Sequence, residues 1–378
     1  MNLSLPGEAD PRRQDVRRWL GENPDPTPRQ LAEGGLVAPH WPRPWGLEAS
    51  PVHQLLIDEE LTRAGIRRPV NTIGTGWAGP TIIAAGTEAQ KERYLFPMLA
   101  AEEIWCQLFS EPDAGSDLAS LTTRAVRDGD CYVVAGQKVW TSFAHVARFG
   151  ILLARTDPAA PLRHGISYLI CPMDAPGVTV RPIVEMTGVH NFNEVFLDEV
   201  RIPAENLVGR ENEGWPLAKV TLANERVSLS SEGAIWGRGP TAATLLEVVR
   251  DAGGCADPVL RQELAGLFSE AEMLRVLRLR SIAALVAGRD PGPETSVRKA
   301  LADDHGRRIM SLAKRLAGTA GILSGPGPCG VNDPVWSFGF LFSPALTIGG
   351  GTAEIQRNIV AERVLGLAQD PGAEGTFV

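Results

Sequence analysis

Residues 131–142 read CYVVAGQKVWTS, and this stretch belongs to a series of short β-rich runs separated by Gly, Asp and Pro turns. The runs are Cys131–Val134, Lys138–Thr141, Gly165–Ile170 and Val195–Leu197. Their hydrophobic period is close to 2, which predicts a compact antiparallel β domain from Cys106 to about Val208. Because no long helices alternate with these runs, a parallel doubly wound sheet is disfavoured.

On both sides of this region the period changes to that of helices. Pro28 after Thr27, Pro51 after Ser50, and the capping box Thr87-x-x-Gln90 predict three helix starts in the N-terminal part. Four long helices are predicted in the C-terminal part, over roughly 215–250, 257–288, 294–322 and 352–366. The fold class is therefore α+β, with an N-terminal helical domain (1–104), a middle β domain (105–212) and a C-terminal helical bundle (213–378).

Composition excludes several classes of protein. The 378 residues carry 37 Lys and Arg against 45 Asp and Glu, a net charge of −8 with scattered cations, so nucleic-acid binding is not expected. Apolar runs fall short of the roughly 18 residues of a membrane span, and five widely spaced cysteines favour free thiols in the cytoplasm. The six dispersed histidines offer no metal-ligand spacing, so no metal site is expected.

Gly74-Thr75-Gly76-Trp77-Ala78-Gly79 matches the dinucleotide-binding pattern G-x-G-x-x-G. That fingerprint needs a buried strand before it and a helix after it. The residues before Gly74 are not strand-like and Pro80 follows at once, which favours a glycine-rich loop between helices.

Phe109-Ser110-Glu111-Pro112-Asp113-Ala114-Gly115-Ser116-Asp117 is more informative. It places hydroxyls and a turn between two β segments, a form suited to presenting N–H and hydroxyl groups to a polar ligand. Together with Trp140-Thr141-Ser142 it is typical of one wall of a site for a flat heteroaromatic ring.

These segments resemble the motifs of the acyl-CoA dehydrogenase family, in the family's order and over nearly the whole chain. The stretches that carry the resemblance are Gly86–Leu95, Cys106–Asp117, Gly136–Ser142, Glu194–Pro203 and Gly351–Arg357. The resemblance implies the same helix, sheet, helix architecture and a non-covalent FAD whose flavin lies between the β domain and the bundle.

Residue by residue, the resemblance implies that Ser110 meets the flavin pyrimidine edge, Ser142 meets N5 and O4, and Trp140 lies beside the ring. Ser116 matches a residue near the pyrophosphate or the acyl-CoA. The full set of implied cofactor contacts is Phe109, Ser110, Gly115, Ser116, Trp140, Thr141, Ser142, Thr352 and Glu354. The alternatives are purely structural roles, such as a β-turn serine or a helix-capping threonine.

The family reaction needs a carboxylate that removes the α-proton of the thioester while the β-hydrogen leaves as hydride to the flavin. Gly350 stands at the usual base position and has no carboxylate. Glu225, followed by Arg226, stands at the family's alternative position, so Glu225 is the predicted base and Arg226 a predicted substrate contact. The backbone N–H of Gly350 is predicted to donate to the thioester oxygen.

Two family features are missing. No R-x-x-F-G segment lies between Gly237 and Ala287, and Q-x-x-G-G-x-G is replaced by a run that starts at Arg315. In the family, the R-x-x-F-G segment of one subunit contacts the FAD of its neighbour. The resemblance therefore implies that a related subunit supplies these contacts in an α2β2 heterotetramer, with a homotetramer as the alternative. The expected substrate is a branched or bulky acyl-CoA, or a thioester on an acyl carrier protein, and an electron-transfer acceptor reoxidises the flavin. A non-catalytic subunit and a same-fold flavin oxidase or monooxygenase are the competing functions.

Overall fold

The computed structural model describes residues 5–229, 235, 239–286, 292–322 and 334–368. It combines helices and strands in two compact units. One comprises Met1–Ile183 and His190–Leu222, and the other comprises Val184–Val189 and Ala223–Val378. The α+β class predicted from the sequence is confirmed.

Five α-helices precede the sheet: α1 (Pro11–Glu22), α2 (Pro28–Glu33), α3 (Pro51–Arg63), α4 (Gly79–Ala85) and α5 (Glu88–Leu99). The predicted starts at Thr27, Ser50 and Thr87 are confirmed, because each side chain accepts the backbone N–H three residues on. α1 and α4 were not predicted. Gln90 of the Thr87 box also donates to the carbonyls of Glu205 and Leu207, at 2.7 and 2.8 Å, so this cap ties α5 to the β region.

The glycine-rich segment is helical. Gly74–Ala78 forms a π-helical turn that runs directly into α4, so the predicted loop is wrong, although no strand, turn and helix arrangement is present there. A Cβ on Gly79 would lie 2.2 Å from the Trp41 ring, and one on Gly74 would lie 2.6 Å from the Asn71 amide. These glycines therefore permit close packing.

The sheet has eight strands: β1 (Trp105–Leu108), β2 (Arg124–Asp128), β3 (Cys131–Ser142), β4 (Phe149–Arg155), β5 (Ile166–Pro172), β6 (Val178–Pro182), β7 (Phe192–Pro203) and β8 (Leu207–Val208). Their order is β6-β7-β3-β2-β4-β5-β8, with β1 beside β4. The pairings are antiparallel except that β4 runs parallel to β1 and β2. The two strands predicted over 131–141 are one 12-residue strand. Its register against β7 shifts between Val134 and Gly136 and between Lys138 and Thr141, and these bulges interrupt the alternating pattern.

The C-terminal helices are α6 (Gly214–Leu229), α7 (Ala242–Asp251), α8 (Pro258–Val286), α9 (Glu294–Leu316), α10 (Pro334–Phe342) and α11 (Ala353–Ile359). The single helix predicted over 215–250 is wrong, because the chain leaves helical structure at residues 239–241 and Thr241 caps a new helix. α10 was not predicted. The buried core of this region joins α7, α8, α9 and α10 through Leu245, Leu267, Met310 and Trp336.

Three further features hold for the described residues. No helix there is long and apolar enough to cross a bilayer, and no three His, Cys, Asp or Glu side chains there are grouped to hold a metal ion. Cys106, Cys131, Cys171 and Cys255 are free thiols, whereas Cys329 lies outside the described residues.

Candidate active site

The loop after β1 carries the first set of predicted contacts. Glu111 and Ala114 exchange two backbone hydrogen bonds of 3.0 and 3.1 Å around the Pro112-Asp113 turn. The Ser110 carbonyl accepts the N–H of Val139 at 2.9 Å. That bond brings the Ser110 loop beside the strand segment that continues into Trp140, so two motifs distant in sequence lie together.

The flanks of Ser110 are fixed by a buried ion pair. Lys138 on β3 is fully buried, and its Nζ donates to the Phe109 carbonyl at 3.0 Å and to Glu111 Oε1 at 2.8 Å. The Glu111 carboxylate also accepts the N–H of Thr122 at 2.7 Å and of Thr123 at 2.9 Å. Burial alone would raise the pKa of Glu111 from its ordinary 4.5, but the Lys138 charge and these hydrogen bonds outweigh burial and lower it to about 2.

Trp140 lies within the second register shift of β3. Its φ is 60°, an uncommon conformation for a bulky residue, and the side chain is 61% exposed. The indole meets the Phe192 ring edge to face, with centroids 6.3 Å apart. A bulge of this kind redirects a side chain out of the regular alternation, and here it presents the indole at the surface of this unit.

Thr141 and Ser142 follow on the same strand. Thr141 is buried, and its hydroxyl has no hydrogen-bond partner among the described residues. Asn193 of β7, opposite Thr141, donates Nδ2 to the Thr141 carbonyl at 2.9 Å and lies 3.2 Å from His145 Nδ1. Ser142 is half-buried and pairs with Phe192. A buried hydroxyl without a partner among the described residues, one residue after an exposed indole, is compatible with a polar aromatic ligand.

The remaining predicted contacts of this loop differ in exposure. Phe109 is buried and packs edge to face on Tyr168 with centroids 6.0 Å apart. Gly115 and Ser116 are exposed beyond the turn. Phe109 thus anchors the loop through its ring, whereas Ser116 is available to a ligand at the surface of this unit.

Glu225 lies on α6 and is 8% exposed. One turn earlier on the same helix face, Thr221 Oγ1 contacts Tyr168 OH at 3.0 Å and Thr81 Oγ1 at 2.8 Å. Thr221 Oγ1 also donates to the Leu217 carbonyl at 3.2 Å. The rotation of α6 about its axis is therefore set by a buried group of hydroxyls. The side chain of Arg226 lies outside what the structure describes.

The glycine run before α11 forms a tight turn. Gly350 and Gly351 have φ of 70° and 88°, and Gln356 Nε2 donates to both of their carbonyls at 3.1 Å. A Cβ on Gly351 would lie 2.6 Å from that nitrogen. Two carbonyls are thus turned toward one buried amide, which fixes the peptide planes on either side of Gly351.

Thr352 and Glu354 occupy the start of α11. Thr352 is its N-cap and accepts the Ile355 N–H at 3.3 Å, which is the structural role named as the alternative for this residue. Glu354 is exposed and lies 3.4 Å from Arg357. Their assignment as cofactor contacts stays a prediction.

Sequence reasoning assigned no role to Lys138, Glu111, Asn193 or Gln356. A signal existed for the first two, because a lysine at an inward-facing strand position requires a buried acceptor. Asn193 and Gln356 gave no such signal, since their partners are backbone carbonyls that only register and turn geometry bring near.

Three sequence profiles of one family match the chain. They are the acyl-CoA dehydrogenase N-terminal domain over residues 7–102, the middle domain over 106–200 and the C-terminal domain over 212–365.

Two relatives from Mycobacterium tuberculosis are similar. Acyl-CoA dehydrogenase FadE34 is 45% identical over 337 residues, 89% of this chain and 45% of that protein. Acyl-CoA dehydrogenase IpdE1 is 39% identical over 372 residues, 97% of this chain and 92% of that protein. This chain therefore spans less than half the length of FadE34.

Two solved structures share the fold. The "Tcur3481-Tcur3483 steroid ACAD" has a TM-score of 0.79 at 30% identity, covering 98% of this chain and 100% of that one. The ChsE4-ChsE5 complex from Mycobacterium tuberculosis has a TM-score of 0.78 at 31% identity, with the same coverage. Profiles, relatives and structures agree, and the chain belongs to the acyl-CoA dehydrogenase family of oxidoreductases.

Proposed function

We propose that this chain is an FAD-dependent α,β-dehydrogenase of bulky acyl-CoA thioesters in which Glu225 is the base. The observation that carries the proposal is a buried carboxylate on α6 in a chain whose usual base position is Gly350. A carboxylate is required because the α-proton needs an acceptor of suitable basicity held close to it.

The residues of the β region fit a flavin. The buried Thr141 hydroxyl lacks a partner among the described residues, and Trp140 presents an exposed indole one residue before it. Thr141, Ser142 and Ser110 would hold the polar edge of the ring system, and Trp140 would lie beside it. The chemistry that FAD supplies when bound is acceptance of a hydride from the acyl β-carbon.

Two groups of the chain are proposed to remove the acyl α-proton and to stabilise the negative charge on the thioester oxygen. Glu225 would take the α-proton, and the hydroxyl contacts of Thr221 fix the helix that carries it. The Gly350 N–H would donate to the thioester oxygen, on which negative charge develops. Such a donor needs no side chain, so the residue at 350 can be glycine without loss of this contact.

The substrate class follows from the same position. A glycine at 350 removes the side-chain volume that a carboxylate would occupy, which suits a branched or ring-bearing acyl group. In support, one of the similar solved structures is a steroid ACAD. The carrier of the thioester is either CoA or an acyl carrier protein.

The assembly we infer is an α2β2 heterotetramer with a related subunit, with a homotetramer as the alternative. In support, one of the similar solved structures is the ChsE4-ChsE5 complex. In a homo-oligomer, Arg315 or another Arg of the C-terminal helices would bind the FAD diphosphate; Arg315 is paired with Glu263 at 2.6 Å. Because such an exposed ion pair contributes little, Arg315 stays available to the homotetramer alternative.

Anaerobic bleaching of the flavin tests the function. The purified protein, alone and co-expressed with a related subunit, is mixed with straight, branched and ring-bearing acyl-CoAs and one acyl-carrier-protein thioester. We expect bleaching by the bulky thioesters and formation of the enoyl product. Protein without flavin in every preparation would indicate a non-catalytic subunit, and oxygen consumption without enoyl product would indicate an oxidase or monooxygenase.

A further inference from the structure

We propose that the buried pair of Lys138 and Glu111 is a positioning device that holds the Ser110 loop against the Trp140 bulge and thereby sets the affinity for FAD. The inference rests on the FAD binding proposed above. Lys138 lies on β3 and Glu111 lies in the Ser110 loop, and neither residue is proposed to contact the substrate or the flavin.

One ammonium group secures both sides of Ser110. Lys138 Nζ contacts the Phe109 carbonyl at 3.0 Å and Glu111 Oε1 at 2.8 Å, the residues immediately before and after the serine. The Val139 N–H holds the Ser110 carbonyl itself at 2.9 Å. Three consecutive residues of the loop are thus fixed by two consecutive residues of β3, which leads directly into the Trp140 bulge.

Glu111 extends the same constraint to a third segment. Its carboxylate accepts the Thr122 N–H and hydroxyl at 2.7 and 2.8 Å and the Thr123 N–H at 2.9 Å. The close approach of this segment to β3 depends on Gly136, where a Cβ would lie 2.3 Å from Thr123 Oγ1. Three parts of the chain therefore meet at the Glu111 carboxylate: the Ser110 loop, the segment that precedes β2, and strand β3.

An ion pair at this depth is a poor source of stability, because desolvation offsets most of its attraction and apolar residues would pack as well. Its particular property is directional. The ammonium donates to a backbone carbonyl on one side, and the carboxylate accepts two backbone amides on the other, through charge-assisted hydrogen bonds that are shorter and stronger than neutral ones. The pair thus fixes the backbone on both sides of Ser110 beside the strand that carries Trp140, and a flavin that contacts both residues needs that relation preset.

Three single variants test the inference, measured on the assembly in which the wild-type protein holds FAD. Glu111→Gln and Lys138→Met break the pair. Glu60→Gln is the matched control, because Glu60 is a buried carboxylate paired with Arg13 and Arg17 in the N-terminal helices. Three quantities are measured. The first is the Kd for FAD at a temperature at which every variant is folded, the second is the unfolding temperature of the apoprotein, and the third is kcat at limiting and at saturating FAD.

We expect Glu111→Gln and Lys138→Met to raise the FAD Kd roughly 10- to 100-fold, as loss of charge-assisted contacts predicts, with kcat recovering at saturating FAD. Glu60→Gln lowers the unfolding temperature and leaves the Kd unchanged. Wild-type FAD affinity in both pair variants would overturn the inference, whereas a wild-type protein that takes up no FAD would instead overturn the proposed function. If the pair variants fail to fold, Thr122→Val removes one hydrogen bond to Glu111, and an unchanged Kd there also overturns the inference.

Discussion

Thr221 and Glu225 lie one helical turn apart on the same face of α6, and the Thr221 hydroxyl is held by Tyr168 and Thr81. Thr221 is fully buried and Glu225 nearly so. The helix is therefore locked in rotation immediately before the carboxylate, which is the property a general base needs, because proton transfer depends on a fixed distance and direction.

Glu225→Gln is expected to retain FAD and lose roughly 10²- to 10⁴-fold in turnover, because an amide of nearly the same shape cannot accept the proton. Anaerobic single-turnover bleaching measures the effect on the chemical step. Glu270→Gln is the control, since Glu270 is a partly buried carboxylate of α8 that pairs with Arg308. A Glu225→Gln enzyme that bleaches at the wild-type rate would exclude Glu225 as the base.

Moving the base is expected to restore part of the activity. In the Glu225→Gln background, Gly350→Glu should recover desaturation mainly of short unbranched acyl chains, because the new side chain fills the acyl site. A side chain at φ 70° costs about 1–2 kcal/mol, so the unfolding temperature should also fall. Gly350→Gln in the same background is the control; equal activity of the two double variants would contradict the prediction.

Gln356→Leu is expected to lower the free energy of unfolding by about 1–3 kcal/mol, because two carbonyls of the glycine turn lose their shared donor. We also expect kcat/KM for acyl-CoA to fall, since the turn carries the Gly350 N–H. Denaturant unfolding and steady-state kinetics measure the two effects. Arg357→Ala, which changes an exposed neighbour on α11, is the control and should alter neither quantity. A Gln356→Leu protein with wild-type stability and kinetics would show that the Gln356 amide does not hold the turn.

The stability contributed by Glu111 is expected to depend on acid. Its pKa is lowered from 4.5 to about 2 in the folded protein, so its contribution is full above pH 4.5 and is lost as the pH falls toward 2. The difference in free energy of unfolding between wild type and Glu111→Gln should therefore narrow as the pH falls through that window. Urea unfolding at several pH values provides the measurement, and a constant difference would contradict the lowered pKa.

Expressed alone, the chain is expected to bind little FAD, and co-expression with a related subunit should restore roughly one FAD per heterodimer. The reason is that the R-x-x-F-G segment is absent between Gly237 and Ala287, so the proposed FAD diphosphate would lack charge-assisted contacts of about 1.5–3 kcal/mol each. Light scattering and flavin absorbance on the same sample measure mass and cofactor together. A yellow, active homotetramer with one FAD per chain would rule out the heteromer.

The sequence predicts features that local chemistry controls and misses those that depend on register. Thr27, Ser50 and Thr87 cap helices as predicted, because a cap involves only neighbouring residues. By contrast, the sequence predicts two strands where β3 is a single one, since its bulges interrupt the alternation of buried side chains. The partners of Lys138 and Asn193 lie on other strands or loops, so the sequence indicates that Lys138 needs a buried acceptor but not which residue supplies it.

Trp140 places a large aromatic side chain where the backbone favours glycine. In the isolated chain, Trp140→Gly would relieve the left-handed strain and remove an exposed apolar ring. The two demands on this residue are thus opposed: the backbone at φ 60° favours glycine, whereas the contact with Phe192 and the proposed flavin favour the indole. Selection for thermal resistance alone would therefore tolerate loss of this indole, at the expense of the proposed flavin contact.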